Sequence, residues 1–241
     1  MAGGPDTGDG PSGAQREDGP VTIEKIQLAA SNTQAEESTS YEIDLRSDPI
    51  TMHVRGAASG DGRTAWTVVD TPRGSFEQRI VDGVAYMQFG DLPLGASAAA
   101  EGKKWVKLDV SGLTEAFGAD ATGAFGPQTP GSALDMLRDL SGDVEQVGED
   151  TIAGHHAIHY RTTIDAAGTS TPVDVWIDDQ DRLVKMTAVT SEGAGELTMQ
   201  ITEFGGPVDV VAPPEEEVAD LGDLFSDLLP DGLRPGEGIH S

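Results

Sequence analysis

Alternation of apolar and polar residues is the clearest pattern in this chain, and it predicts β-hairpins. Within residues 173–186, Val173, Val175 and Ile177 occupy alternate positions up to an acidic turn at 178–181, and a second alternating run follows the turn. Alternation on both sides of a short turn is typical of a hairpin with one buried face. This segment therefore predicts two paired strands of a curved sheet.

The same period of two recurs along most of the chain. It predicts strands near residues 39–46, 50–57, 64–70, 74–81, 84–89, 104–109, 143–149, 152–164, 172–178, 182–190 and 195–204. Turn sequences such as Asp82-Gly83 separate them, and no helices alternate with them, which argues against parallel β-α-β units. We expect a meander of antiparallel hairpins in an α+β fold.

Two segments instead show the helical period. Ile23, Ile26 and Ala30 share one stripe and predict a first helix that begins near Val21. A second helix is predicted over residues 132–140, because Pro130 precedes it and a glycine follows it.

These patterns divide the chain into three parts. Residues 1–20 are rich in Gly, Pro and Asp and predict a disordered tether, residues 21–212 predict one domain, and residues 213–241 form an acidic tail. Apolar residues at helical spacing predict a short amphipathic helix in the tail: Val218, Leu221, Leu224, Phe225, Leu228 and Leu229. This helix either docks on the domain or serves as a lid or a partner-binding helix.

The predicted strands have one apolar and one polar face. The apolar residues that we take as candidate walls of a ligand cavity are Met52, Val54, Trp66, Phe76, Ile80, Tyr86, Val175, Met186 and Met199. Polar residues such as His53, Arg55 and Asp174 occupy the opposite positions. The pattern leaves two alternatives open: the helices cover this face completely, or part of it remains a cavity for an apolar ligand.

Charge and composition restrict the function. The formal net charge is −27, from 42 acidic and 15 basic residues, so phosphate groups of nucleic acids and anionic lipid headgroups are repelled. The absence of cysteine excludes disulfides and thiol chemistry. No apolar run is long enough to span a membrane, and no signal peptide precedes the domain, so either the protein is cytoplasmic or a leader has been removed.

The candidate chemical motifs are weak. His155 and His159 lie in a predicted strand, where about 13 Å separates residues four apart, too far for one metal ion. The acidic residues 178–181 lack the glycine and glutamate of a calcium loop and predict a solvated turn. No nucleophile elbow or phosphate-binding loop is present. We therefore expect no catalytic residue, no metal and no cofactor, and a protein that is not an enzyme.

The order of several short motifs is more specific than any one of them. They are Val-Asp-Gly-Val-Ala-Tyr-Met at 81–87, Lys-Trp-Val-Lys-Leu-Asp at 104–109, Val-Gly-Glu-Asp-Thr-Ile-Ala-Gly at 147–154, the hairpin at 173–186, and Ile-Thr-Glu-Phe-Gly at 201–205. Over roughly residues 21–220 this order resembles the actinobacterial lipoproteins of the LppX/LprG type, whose fold is shared with LolA and with the sensor domain of RseB.

The resemblance implies an open half-barrel of antiparallel strands over helices. It also implies that a concave apolar cavity holds the acyl chains of a lipid or glycolipid, outside the cytoplasmic membrane, with a lipid on an N-terminal cysteine as the anchor. This chain has neither that cysteine nor its lipobox, which a removed leader and cysteine would explain. An RseB-like sensor domain that engages another envelope protein through the C-terminal helix is the alternative.

Overall fold

The computed structural model describes residues 22–47, 50–88, 90, 102–108, 130–166, 169–189 and 195–220. Helix α1 spans Ile23–Gln34, and helix α2 spans Pro130–Asp135 and continues as a 3-10 helix over Met136–Asp139. The strands are β1 (Ser38–Ser47), β2 (Ile50–Ser59), β3 (Ala65–Thr71), β4 (Gly74–Val81), β5 (Val84–Gln88), β6 (Trp105–Leu108), β7 (Leu140–Ile152), β8 (His155–Ala166), β9 (Thr169–Asp178), β10 (Leu183–Val189), β11 (Gly195–Phe204) and β12 (Val218–Asp220).

All of these strands belong to one large, curved, open sheet. Its order is β12-β6-β5-β4-β3-β2-β1-β11-β10-β9-β8-β7, so two meanders meet where β1 pairs with β11. The pairs are antiparallel, as the alternation predicts, with the exception of β12, which runs parallel to β6. The fold is mostly sheet with few helices.

Helix α1 confirms the first helical prediction. Its buried stripe consists of Ile26, Ala29, Ala30 and Thr33, which face β9 and β10. These residues are spaced three and four apart, so they lie on one side of an α-helix. α1 thereby covers the part of the sheet that the hairpin of residues 173–186 forms.

The second helix is shorter than the sequence pattern predicts. It begins at Pro130 and has given way to a 3-10 helix by Met136, and β7 begins at Leu140. Leu140 pairs with Ile164 of β8, so sheet pairing overrides local helical propensity at this position. The sequence pattern also predicts that one strand ends at 149 and that the next begins at 152. This is wrong, because β7 continues to Ile152.

The acidic turn between β9 and β10 is solvated at Asp179, Gln180 and Asp181, as the sequence predicts, but its first residue, Asp178, is buried. The Asp178 side chain is only 3% exposed and accepts hydrogen bonds from the Arg182 side chain at 2.7 and 3.0 Å and from the backbone N–H of Gln180 and Arg182. The Arg182 guanidinium also lies 3.8 Å from the ring centroid of Phe204. The Asp178–Arg182 pair therefore closes the base of the turn beside the end of α1.

The C-terminal part of the described chain is an extended strap that ends in a short 3-10 helix, Glu215–Glu217, rather than in an α-helix. We use "strap" for residues 205–217, which begin where Gly205 N–H donates to the carbonyl of Ser38 and end at the free edge of β6. Between these points, Arg79 donates to the carbonyl of Val211. Val218, which the pattern assigned to an amphipathic helix, instead lies in β12. The rest of that predicted helix, and the predicted tether of residues 1–20, lie outside the described residues.

Candidate functional site

A continuous row of apolar side chains crosses the inner face of the sheet, the face that α1 covers. Residues that pair directly across neighbouring strands point to the same face. The row runs from β4 to β8 through Phe76, Val69, Val54, Ile43, Met199, Met186, Val175 and Tyr160. All of them belong to or pack against one core cluster.

Most of the predicted wall residues lie on this inner face. They are Met52, Val54, Phe76, Ile80, Val175, Met186 and Met199. Met52 and Phe76 are half-buried and the other five are buried. That they contact a ligand stays a prediction, because other residues line the three cavities described below.

Trp66 and Tyr86 lie on the opposite, outer face, so their predicted place in the apolar wall is wrong. Val69 of β3 pairs with Val54 and points to the inner face. Trp66 lies three residues before Val69, so it points to the outer face, where it pairs with Arg79. Arg79 pairs in turn with Tyr86. Strands β3 and β5 carry apolar residues on both faces. The larger side chains are therefore not a guide to which face is buried.

Two other tryptophans, Trp105 and Trp176, contact cationic side chains. The Arg79 guanidinium lies 4.4 Å from the ring centroid of Trp105. Trp176, which the alternation places opposite Val175, packs in a separate small cluster and lies between His159, stacked at 4.2 Å, and the Lys185 ammonium at 4.5 Å. Both tryptophans are buried, and a cation–π contact contributes about 0.5–1 kcal/mol at an exposed site and about 2 kcal/mol when it is desolvated.

One flank of α1 opens into a crevice. Two adjoining cavities, of about 240 and 280 Å³, share Gln34 and Leu134, and we call them together the helix crevice. Its lining residues are Gln27, Ala30, Ser31, Thr33, Gln34, Glu36, Thr39, Ala58, Ser59, Gly60, Gly62, Pro130, Gly131, Leu134, Leu137 and Arg138. The crevice thus lies between α1, the β2–β3 turn and the α2 segment.

The floor of the helix crevice is apolar and its rim is polar. Ala30, Ala58, Leu134 and Leu137 belong to the main core, so the crevice opens directly onto it. Across one end, the Gln27 side-chain amide donates to the carbonyls of Leu137 and Arg138 at 3.4 and 3.3 Å. An apolar floor with a few polar groups at the entrance is the usual composition of a small-molecule pocket.

A second space lies on the opposite flank of α1. This flank cavity has a volume of about 400 Å³ and lies between α1, β8 and the β9–β10 turn. Its lining residues are Lys25, Leu28, Ile158, Tyr160, Ile177, Asp178, Asp179 and Asp181. It therefore combines an apolar floor with charged residues on both sides.

The three histidines of β8 have separate acidic partners. His155 lies 3.9 Å from Asp178, His156 is 3.3 and 3.4 Å from Asp179 and Glu149, and His159 is 2.7 Å from Asp174. Hydrogen bonds to Asp179 and Glu149 raise the pKa of His156 above its usual value. Within the described ranges, no cluster of three such side chains is placed to hold a metal ion.

Sequence reasoning did not identify the crevice residues. Ala30 was assigned to the buried stripe of α1, but Ala58 and Leu134 were not singled out as site residues. Small residues such as Ala30 and Ala58 were the available signal for a cavity, because small side chains leave volume unfilled between a helix and a sheet. Locating that point requires the tertiary packing of α1 against α2.

Comparisons with known proteins identify relatives in Streptomyces. A protein of Streptomyces coelicolor named "Putative lipoprotein" is 31% identical over 171 residues, which are 68% of this chain and 58% of that protein. An uncharacterized 31.2 kDa protein of Streptomyces griseus is 26% identical over 193 residues, 68% of this chain and 61% of that protein. The chain spans about three fifths of the length of these relatives. No family model matches it.

Among solved structures, LprF of Mycobacterium bovis has a similar fold. The TM-score is 0.54 at 16% identity, and the match covers 81% of this chain and 99% of LprF. LprF is a mycobacterial lipoprotein of the LppX/LprG type. The two comparisons confirm the resemblance to LppX/LprG-type actinobacterial lipoproteins that the order of the sequence motifs indicates.

Proposed function

We propose that this chain is the lipid-binding domain of a cell-envelope lipoprotein, with no catalytic activity of its own. In this proposal the helix crevice admits the acyl chain of a lipid or glycolipid. The observation that carries the proposal is that the floor residues Ala30, Ala58, Leu134 and Leu137 belong to the main core. A ligand that enters there can replace water with core contacts.

The size and chemistry of the crevice support an apolar guest. Ligand pockets usually have volumes of roughly 300–1,000 Å³, and the two adjoining cavities, about 240 and 280 Å³, reach that range only together. Burial of apolar surface stabilises a complex by about 25 cal/mol per Å², so a buried acyl chain needs no covalent chemistry to be held.

Beyond the crevice, the end of the acyl chain would approach the inner face of the sheet, which serves as the wall of the site. The residues concerned are Met52, Val54, Phe76, Ile80, Val175, Met186 and Met199. In this proposal the large curved sheet forms an open half-barrel over α1. Methionine suits such a wall because its flexible, polarizable side chain adapts to guests of different length.

We further propose that the protein works outside the cytoplasm, tethered to the outer face of the membrane by a lipid on an N-terminal cysteine. Support comes from the lipoprotein name of the Streptomyces coelicolor relative and from the LprF-like fold. In the described part of the chain, no helix is long and apolar enough to cross a membrane. The net charge of −27 disfavours nucleic acids as partners.

Lipid binding can be measured on the purified chain. Native mass spectrometry of protein from a lipid-containing host should show a co-purified lipid, and a solvatochromic dye should bind saturably and be displaced by acyl lipids. Gln34→Trp puts an indole where the two cavities of the crevice adjoin, and we expect it to weaken dye binding by about tenfold, or 1.4 kcal/mol.

Glu24→Trp is the matched control, because it adds the same side chain to an exposed position of α1 that does not line the crevice. It should bind dye as the parent does. Repeated isolation of lipid-free protein that takes up no dye would contradict the proposal. Such protein that instead retains an envelope protein, and loses it when residues 213–241 are deleted, would favour a sensor domain.

A further inference from the structure

The flank cavity has an apolar floor, because Tyr160 and Ile177 belong to the main core cluster and Ile158 packs against it. Leu28 is 58% exposed on α1, and across the cavity from it lie Ile158 and Ile177 of the sheet. An exposed leucine is unremarkable alone, but here it forms one side of a concave space of about 400 Å³. This geometry suits an apolar tail.

The same cavity already accommodates a cation. The ammonium of Lys25 lies 5.8 Å from the ring centroid of Tyr160, which lines the cavity. Aromatic rings attract ammonium groups through the negative potential of their faces, at up to about 6 Å. The Lys25 side chain therefore shows which chemistry this floor accepts.

The opposite rim is acidic. Asp179 is 65% exposed and Asp181 is exposed, and both line the cavity. Asp178 adds little to this field, because Arg182 neutralises it at 2.7 Å. Lys25 is thus the single base among the lining residues, against the two exposed carboxylates of Asp179 and Asp181, in a chain with a net charge of −27. Both the local and the overall field favour a cation and repel an anion.

We propose that the flank cavity binds an amphiphile with an apolar tail and an ammonium head. The tail lies against Leu28, Ile158 and Ile177, and the ammonium lies between the Asp179 and Asp181 carboxylates at the exposed rim. This site is on the other side of α1 from the helix crevice, so it does not depend on lipid binding there.

Three probes that share a dodecyl or similar tail but differ in head-group charge test which head the cavity prefers. We would titrate the full chain by calorimetry, below micelle-forming concentrations, with dodecylammonium, dodecyl maltoside and dodecanoate. Low salt preserves the electrostatic contribution, and mildly alkaline pH keeps His156, 3.3 Å from Asp179, neutral. Dodecylammonium should bind tightest and dodecanoate weakest.

Charge variants locate the site. Asp179→Asn together with Asp181→Asn should weaken dodecylammonium binding by about fivefold, since two exposed charge pairs contribute about 0.5 kcal/mol each. Dodecyl maltoside binding should not change. Lys25→Gln should strengthen dodecylammonium binding. Asp82→Asn with Asp209→Asn is the control, because it removes the same charge from exposed residues outside the cavity.

Several results would overturn the inference. One is equal affinity for dodecylammonium and dodecyl maltoside, and another is the same loss in the control pair as in the Asp179 and Asp181 pair. Tighter binding of dodecanoate, lost in Lys25→Gln, would assign an anion site instead. Gln34→Trp should keep dodecylammonium binding, and a loss there would place the probe in the helix crevice.

Discussion

The Tyr41 side chain of β1 crosses over Gly56 of β2 and reaches β3. In the register of β1, β2 and β3, Tyr41 lies opposite Gly56, which lies opposite Thr67. The Tyr41 hydroxyl is 2.9 Å from Thr67 Oγ1, because Gly56 has no side chain to block the ring. This is an aromatic ring covering a strand glycine, a device that stabilises sheets at a position where glycine otherwise weakens them.

At this position we expect Gly56→Ala to destabilise the fold. Its Cβ would clash with the Trp66 carbonyl oxygen and lie 2.9 Å from the Tyr41 hydroxyl. Overpacking of this kind costs about 1–3 kcal/mol. Gly148→Ala is the matched control in β7, since nothing lies within 4 Å of its Cβ. Urea unfolding should separate the two variants, and equal midpoints would show that the contact is relieved without cost.

The same tyrosine makes stability depend on alkaline pH. Burial raises the pKa of Tyr41 from 10.0 to about 12. Because the folded pKa is the higher one, the stabilisation is present below pH 10 and is lost as the pH rises toward 12. We expect the free energy of unfolding to fall more steeply over this range in the parent than in Tyr41→Phe. Parallel curves would mean that Tyr41 does not titrate with unfolding.

At the scale of elements, α1 is held by the hairpin beneath it. The Thr33 hydroxyl accepts the backbone N–H of Leu183 at 2.8 Å and lies 3.1 Å from the carbonyls of Leu183 and Ala29, to which it can donate. The Asn32 amide donates to the carbonyl of Asp181 at 2.9 Å. These bonds fix the C-terminal turn of α1 between the helix crevice and the flank cavity, so both spaces depend on them.

Thr33→Val tests this anchor. Valine keeps the shape but removes the hydroxyl, which leaves the buried Leu183 N–H without that acceptor at a cost of about 1–3 kcal/mol. Thr33→Ser keeps the hydroxyl and should lose less. Thermal unfolding gives the comparison, and hydrogen exchange of the Leu183 amide should rise in Thr33→Val. A slow Leu183 amide in that variant would argue against the anchor.

At the scale of the whole molecule, the strap joins the two ends of one meander. It starts beside β1 and ends as β12 on β6, where Lys104 Nζ contacts the Glu217 carboxylate at 2.6 Å and the Lys104 N–H donates to the Glu217 carbonyl at 2.9 Å. Exposed ion pairs contribute little individually. The larger effect is that β12 occupies an edge that would otherwise present unpaired backbone groups.

Truncation after Gly206 removes β12 and all of the strap beyond its first two residues. We expect a lower melting temperature and a red shift in tryptophan emission, since Trp105 pairs with Val218 of β12 and is 5% exposed. Trp105→Phe in the truncated chain should abolish the red shift. Truncation after Asp220 keeps β12 and should leave the emission unchanged. An unshifted spectrum after the longer deletion would show that the strap does not shield Trp105.

The sequence by itself determined the strands, the first helix and the family resemblance. These follow from local periodicity and motif order, as in the alternation of Val173, Val175 and Ile177. Only the tertiary structure decided which face Trp66 and Tyr86 occupy. Strands β3 and β5 carry apolar residues on both faces, and their pairing with β2 and β4 decides which face is buried.

The tertiary structure also decided that Val218 forms a strand, since the β6 edge supplies backbone partners that the local sequence cannot reveal. The helix crevice and the flank cavity arise from the docking of α1 on the sheet, a long-range contact with no local signature.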